Sequence, residues 1–140
     1  MKTVLAFGTF DLFHPGHLSY LTQAKNLGDK LIVVVATDSN VEKGKGKKPI
    51  NSEEHRKELV EALSIVDKAI IGSESNYFEC VEQIKPSIIA LGYDQSANEE
   101  ELNAKLKEKK IEAKIVKLEA YKPEVYKSSK IKEKMKNDFI

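Results

Sequence analysis

The segment Lys30–Ala36 reads Lys-Leu-Ile-Val-Val-Val-Ala, an unbroken apolar run rich in β-branched residues. A strand of this kind has no polar face, so it must be covered on both sides, which places it inside a parallel sheet with helices above and below. Shorter runs of similar character recur at Val4–Phe7, Val66–Ile71, Ser87–Leu91 and Ile111–Leu118. Between them the apolar residues take helical spacing. Residues 17–26 carry Leu18, Leu21 and Ala24, followed by Leu27 and by Gly28 as the expected C-cap. A second helix starts from Ser52 as N-cap and presents Leu59, Val60, Leu63 and Ile65. Tyr77–Ile84, ended by Pro86, and Glu99–Lys109 read as two more. Residues 39–51, with two glycines, a proline and Lys43, Lys45, Lys47 and Lys48, read as a loop, and residues 128–137 as a final helix. This alternation with short links predicts an α/β, Rossmann-like, doubly wound parallel sheet of about five strands in one domain, with helices on both faces. Right-handed crossovers put the loops after the first and fourth strands on the same edge, where such sheets bind ligands.

Composition narrows the function classes. The chain has 140 residues, 32% of them charged, and a net charge of +1, so there is no overall field to recruit nucleic acid. Charge is nevertheless uneven: residues 103–136 hold twelve Lys against five Glu, whereas residues 74–101 hold seven acids against one Lys. These are either two solvated faces or, for the basic segment, a surface that helps hold a phosphorylated substrate. A single cysteine, Cys80, excludes an intrachain disulfide and a cysteine-built metal site, and its apolar neighbours Phe78, Val81 and Ile84 predict a buried structural thiol. The N-terminus shows no signal-peptide pattern and no apolar stretch approaches a membrane span, so the expected location is cytoplasmic, without membrane partners.

The chemistry concentrates directly after the first strand, in Phe7-Gly8-Thr9-Phe10-Asp11-Leu12-Phe13-His14-Pro15-Gly16-His17. The strand breaks at Gly8, and Pro15 and Gly16 suit a tight entry into a helix beginning near His17. A helix start offers unpaired N–H groups and the positive end of the dipole, both suited to polyphosphate oxygens. Two imidazoles three residues apart add donors that act as transition-state charge develops. Asp11 reads as a structural partner for a backbone amide or a histidine rather than as a general base.

This block resembles the HxGH signature of the nucleotidyltransferase superfamily, in the GTFDxxHxGH form of its cytidylyltransferase-like branch. The resemblance implies transfer of a nucleotidyl group from a nucleoside triphosphate to a phosphate ester. It assigns Gly8, Thr9 and Phe10 to the wall of the nucleotide cleft, together with Pro15 and Gly16, and His14 and His17 to the triphosphate and the α-phosphorus. It also gives Lys45 and Lys47, on a flexible cationic lid, a catalytic and acceptor-binding role; a solvated loop is the alternative. Arg56, within Glu54-His55-Arg56-Lys57, is implied near the acceptor, or else forms a surface ion pair. Asp94 of Gly92-Tyr93-Asp94-Gln95 resembles the contact to base or ribose, with a turn aspartate as the alternative. Ser128 and Ser129 of Tyr126-Lys127-Ser128-Ser129-Lys130-Ile131 resemble the C-terminal element that grips the phosphates, and they are also candidate N-caps. Tyr121 joins the nucleotide-binding set.

Within that branch, Lys48-Pro49-Ile50, Leu91–Gln95 and Tyr121–Lys130 look like the archaeal FAD synthases, which adenylylate FMN with ATP to give FAD and pyrophosphate. Phe13, Tyr93, Tyr121 and Tyr126 are the aromatics that could cover a flavin ring. The runner-up is a cytidylyltransferase using CTP and glycerol 3-phosphate or another small phosphate ester, and the third reading is a non-catalytic nucleotide-binding module. The resemblance further implies a homodimer and a divalent cation, Mg²⁺, held through substrate phosphates, since no carboxylate cluster marks a protein metal cage.

Overall fold

In the computed structural model, which describes residues 1–74, 78–92 and 99–119, the apolar runs become five parallel strands of one sheet. They are β1 (Thr3–Gly8), β2 (Lys30–Val35), β3 (Lys68–Ile71), β4 (Ile88–Leu91) and β5 (Lys114–Lys117). Their spatial order is β3-β2-β1-β4-β5, so the winding reverses between β1 and β4. The helices are α1 (Pro15–Asn26), α2 (Asp38–Lys45), α3 (Glu53–Glu61), α4 (Phe78–Ile84) and α5 (Glu99–Glu108).

Strand pleating sorts the core into two layers. Val4 and Ala6 of β1, with Leu31, Val33 and Val35 of β2, meet Leu21 and Ala24 of α1 and Val60 of α3. Leu5, Ile32 and Val34 point to the opposite layer, against Phe78, Cys80 and Val81 of α4 and Leu102 and Leu106 of α5. The sheet is thus covered on both faces, as its unbroken apolar strands require. Cys80 is buried as expected, and burial raises its thiol pKa. No helix among the described residues is long and apolar enough to cross a membrane.

Three expectations need correction. The first helix starts at Pro15, not near His17, because His14 supplies the cap itself. Its C-cap is Leu27 in ordinary right-handed geometry; Gly28 is small because the chain is crowded there, an added Cβ lying 2.8 Å from the Lys2 carbonyl. The third correction is the largest. Residues 39–45, part of the 39–51 stretch read as loop, belong to α2: the Thr37 hydroxyl accepts the Asn40 N–H at 3.1 Å, Val41 anchors the helix in the interior, and Gly46 at φ 77° closes it. Capping at both ends outweighs the cost of Gly44 inside, about 1 kcal/mol. Strands three and five are also shorter than their apolar runs. The expected helix over 128–137 lies outside the described residues.

The outer edge of β3 is occupied by a side chain: Glu61 accepts the Ala69 N–H at 3.2 Å. At the other end of the sheet, Lys114 and Lys117 of β5 are exposed.

Close approach at the end of β1 fixes another glycine. A Cβ at Gly8 would sit 2.5 Å from the Phe10 ring, which is buried beneath it. Gly8→Ala is expected to cost about 1–3 kcal/mol through overpacking. Urea denaturation checks this, and adding Phe10→Leu should recover part of the loss by making room.

Candidate active site

The block after β1 is shaped by two residues in left-handed geometry, Phe10 at φ 54° and Leu12 at φ 52°. Bulky residues pay for this conformation, so surrounding contacts must hold them there. The Phe10 ring supplies one set, with centroids 6.4 Å from Phe13, 5.5 Å from His17 and 6.4 Å from Tyr20. That ring is core, so anything Phe10 offers a ligand comes from its backbone.

Two cross-ties hold the rest of the turn. The Asp11 carboxylate is buried and accepts the Ile50 N–H at 2.7 Å and the Asn51 N–H at 3.0 Å, in keeping with a structural role. Arg56 is fully buried: it does form an ion pair, with Asp38, but from inside the protein rather than at the surface, and its guanidinium has no exposed surface with which to touch an acceptor. Its Nη1 donates to the Thr9 carbonyl at 2.8 Å, its Nε to the Asn51 carbonyl at 3.0 Å, and its Nη2 to Asp38 Oδ1 at 2.7 Å. One guanidinium therefore joins the histidine block, the start of α2 and the start of α3. Glu53 adds to the same joint by accepting the Asp38 N–H at 2.9 Å.

The two histidines form a capping box made of imidazoles. His14, in extended geometry, is the N-cap of α1, and its Nδ1 accepts the Gly16 N–H at 3.1 Å. His17 Nδ1 accepts the His14 N–H at 3.2 Å in return. The rings stack with centroids 3.8 Å apart. With both Nδ1 atoms accepting, the proton of each ring resides on Nε2, leaving that atom as a donor. His17 is held neutral: burial chiefly, then its electrostatic interaction with His14 and the charge of Lys45, push its pKa down to about 3, against a weaker opposing pull from Asp11. Lys45, the last residue of α2, is thus within electrostatic reach of His17, while Lys47 follows Gly46 and is exposed.

Tyr20 was not among the expected site residues, yet its hydroxyl accepts the Phe7 N–H at 3.1 Å and donates to the Ala90 carbonyl at 2.7 Å. Asp38, the Arg56 partner, was missed too. The only sequence sign of either was position: Tyr20 lies one turn beyond His17, and Arg56 shares a helix face with the core residue Val60. Directly after β4, the strand beside β1, Gly92 is buried. Tyr93, Asp94, Tyr121, Tyr126, Ser128 and Ser129 lie outside the described residues.

The arrangement suits an anion carrying several charges: a helix N-terminus, two Nε2–H donors and exposed lysines on α2 and just beyond it.

Two measurements follow from this geometry. Replacing Arg56 with Met leaves the Thr9 and Asn51 carbonyls without their donor and should cost about 2–4 kcal/mol in denaturant unfolding. For His17 the folded pKa lies below the unfolded value of 6.5, so the unfolded chain binds the extra proton. Its contribution is fully present above pH 6.5 and is lost as pH falls towards about 3. Unfolding free energy followed between pH 4 and 7 should therefore depend less steeply on pH in His17→Gln, by up to about one proton. Equal slopes would contradict the buried neutral imidazole.

Known proteins give the site a context. The Cytidylyltransferase-like family model matches residues 5–134. A FAD synthase of Methanosarcina barkeri is 54% identical over 118 residues, covering 84% of this chain and 84% of that protein. A FAD synthase of Ferroglobus placidus is 48% identical over 136 residues, covering 96% and 88%. Among solved structures, a lipopolysaccharide core biosynthesis protein from Thermoplasma volcanium superposes with a TM-score of 0.83 at 45% identity, covering 86% of this chain and 98% of that one. A pantoate-beta-alanine ligase from Francisella tularensis, at 17% identity and a TM-score of 0.65 over 94% of this chain and 65% of that one, shares the fold alone. The histidine block at the β1–α1 turn and these matches along its length agree: the chain belongs to the cytidylyltransferase-like family, in which its relatives include FAD synthases.

Proposed function

We propose that this protein transfers the adenylyl group of ATP to FMN, giving FAD and pyrophosphate. The observation that carries the reading is the pair of stacked imidazoles capping α1, each keeping an Nε2–H donor, beside the point where the sheet reverses its winding. The FAD synthase relatives supply the acceptor.

The chemistry needs donors and positioning more than proton transfer. An oxygen of the FMN phosphate, already anionic, attacks the ATP α-phosphorus in line. One P–O bond forms, the bond from that phosphorus to the bridging oxygen breaks, and pyrophosphate leaves with the electron pair. No proton moves in this step. His14 and His17 donate to the oxygens on which charge builds, and a neutral His17 does so without having to lose a charge first. Lys45 and Lys47 offset the charge of the leaving group and of the incoming phosphate. Arg56 serves the acceptor side by fixing the Thr9 turn and α2 relative to each other.

A divalent cation, Mg²⁺, fits as a passenger of the phosphates. Asp11 in the block and Asp38, tied to it through Arg56, already accept from Ile50, Asn51 and Arg56, and no group of three or more His, Cys, Asp or Glu at metal-holding spacing occurs among the described residues. When bound, the cation neutralises the triphosphate.

Purified protein offered ATP or CTP against FMN or glycerol 3-phosphate, with Mg²⁺, should release pyrophosphate with ATP and FMN, and flavin fluorescence should fall as FAD forms. Release only with CTP and glycerol 3-phosphate would reassign the acceptor. His17→Ala and His14→Ala should each lower turnover about a hundredfold or more, assayed where circular dichroism shows them folded.

A further inference from the structure

The ladder between β1 and β4 pairs Val4 with Ile88, Leu5 with Ile89 and Ala6 with Ala90, and stops there. Neither strand ends at that point. β1 continues on its other side to the Gly8–Val35 pair, and β4 continues with β5 to Leu91–Lys117. The Tyr20 hydroxyl sits at the last of the β1–β4 pairs, on the two strands that flank the reversal. It accepts from Phe7 N–H at 3.1 Å and donates to the Ala90 carbonyl at 2.7 Å, two hydrogen bonds in series that run from one strand to the other.

We infer that Tyr20 is a positioning residue that sets the width of the nucleotide cleft, by linking the carboxyl ends of β1 and β4 through its hydroxyl at a fixed separation. This rests on the nucleotidyltransferase reading of the same site. The hydroxyl does not move freely, because its ring stacks on Phe10 at 6.4 Å and 21°, and Phe10 lies edge-on to His17 at 5.5 Å. Tyr20 is also three residues beyond His17, on the same side of α1. A single side chain thereby ties the helix that carries the histidines to both walls of the cleft: the β1 wall that leads into Gly8 and Thr9, and the β4 wall that leads into Gly92. A ligand held from both walls is sensitive to their separation, since reacting groups displaced by about an ångström lose much of their rate.

The test is Tyr20→Phe in the full chain, which keeps the ring and its stack and removes only the hydroxyl. Three readouts are taken at a temperature where circular dichroism shows both proteins folded: the Phe7 backbone amide by nitrogen–proton correlation, nucleotide binding by calorimetry, and pyrophosphate release with ATP and FMN. The Phe7 amide should shift, and both nucleotide affinity and kcat/KM should fall at least about tenfold. Affinity and kcat/KM within about twofold of wild type, with the amide shifted, would make the hydroxyl a matter of stability alone and overturn the inference. A variant that does not fold overturns it equally, since the hydroxyl would then be a folding determinant. Wild-type turnover reports on the proposed reaction separately: if it is absent, the comparison is made on binding of whichever of ATP and CTP the wild-type protein takes up. Binding of neither removes the cleft reading and this inference together.

Discussion

The guanidinium of Arg56 has no exposed surface, so all its donors must be satisfied inside the protein, and the way this is done shapes the site. Thr9, Asp38 and Asn51 belong to three separate segments, yet each gives it an oxygen. Asp11 reinforces the same junction from the opposite direction by taking two backbone donors of the segment before α3. The left-handed Phe10 and Leu12 lie within or beside these ties, which oppose relaxation of the turn. Networks of this kind cost much to break, because each lost member strands the others in a poorly solvated place.

Charge and hydrogen bonding are divided within the site. The imidazoles are locked as donors by backbone groups and His17 stays uncharged, while positive charge is left to lysines at the exposed end of α2. That end is also the negative pole of the helix dipole, which Lys43 and Lys45 offset. A ligand with several negative charges then meets uncharged donors deep in the site and cations at its margin.

What the sequence revealed follows from which forces are local. Val4–Phe7 and Lys30–Ala36 were legible as strands because burial on two faces leaves a pattern in any window that contains them. The histidine block was legible because the turn, the cap and the helix start are contiguous. Helix α2 was not, since it has one buried anchor, Val41, and a single apolar residue makes no periodicity; its lysines and glycines resemble solvent-exposed loop. Arg56 was picked out by the motif, but its burial was hidden by its residue type, which is seldom buried, although its spacing from Val60 pointed inward. Tyr20 was hidden by distance, as its acceptor Ala90 is 70 residues away. Recognition of Asp94, Ser128 and Ser129 rests on family resemblance alone.

An open sheet has two edges, and each presents backbone donors and acceptors to which another chain could add a strand. Here the edges are guarded differently. On β3 a carboxylate from the neighbouring helix, Glu61, takes the Ala69 N–H that an added strand would need, and on β5 lysines stand at both ends of the strand. An approaching strand would have to displace an anion at one margin and bury cations at the other. The two apolar faces of the sheet can therefore be as sticky as a central parallel sheet demands without its rims seeding aggregation.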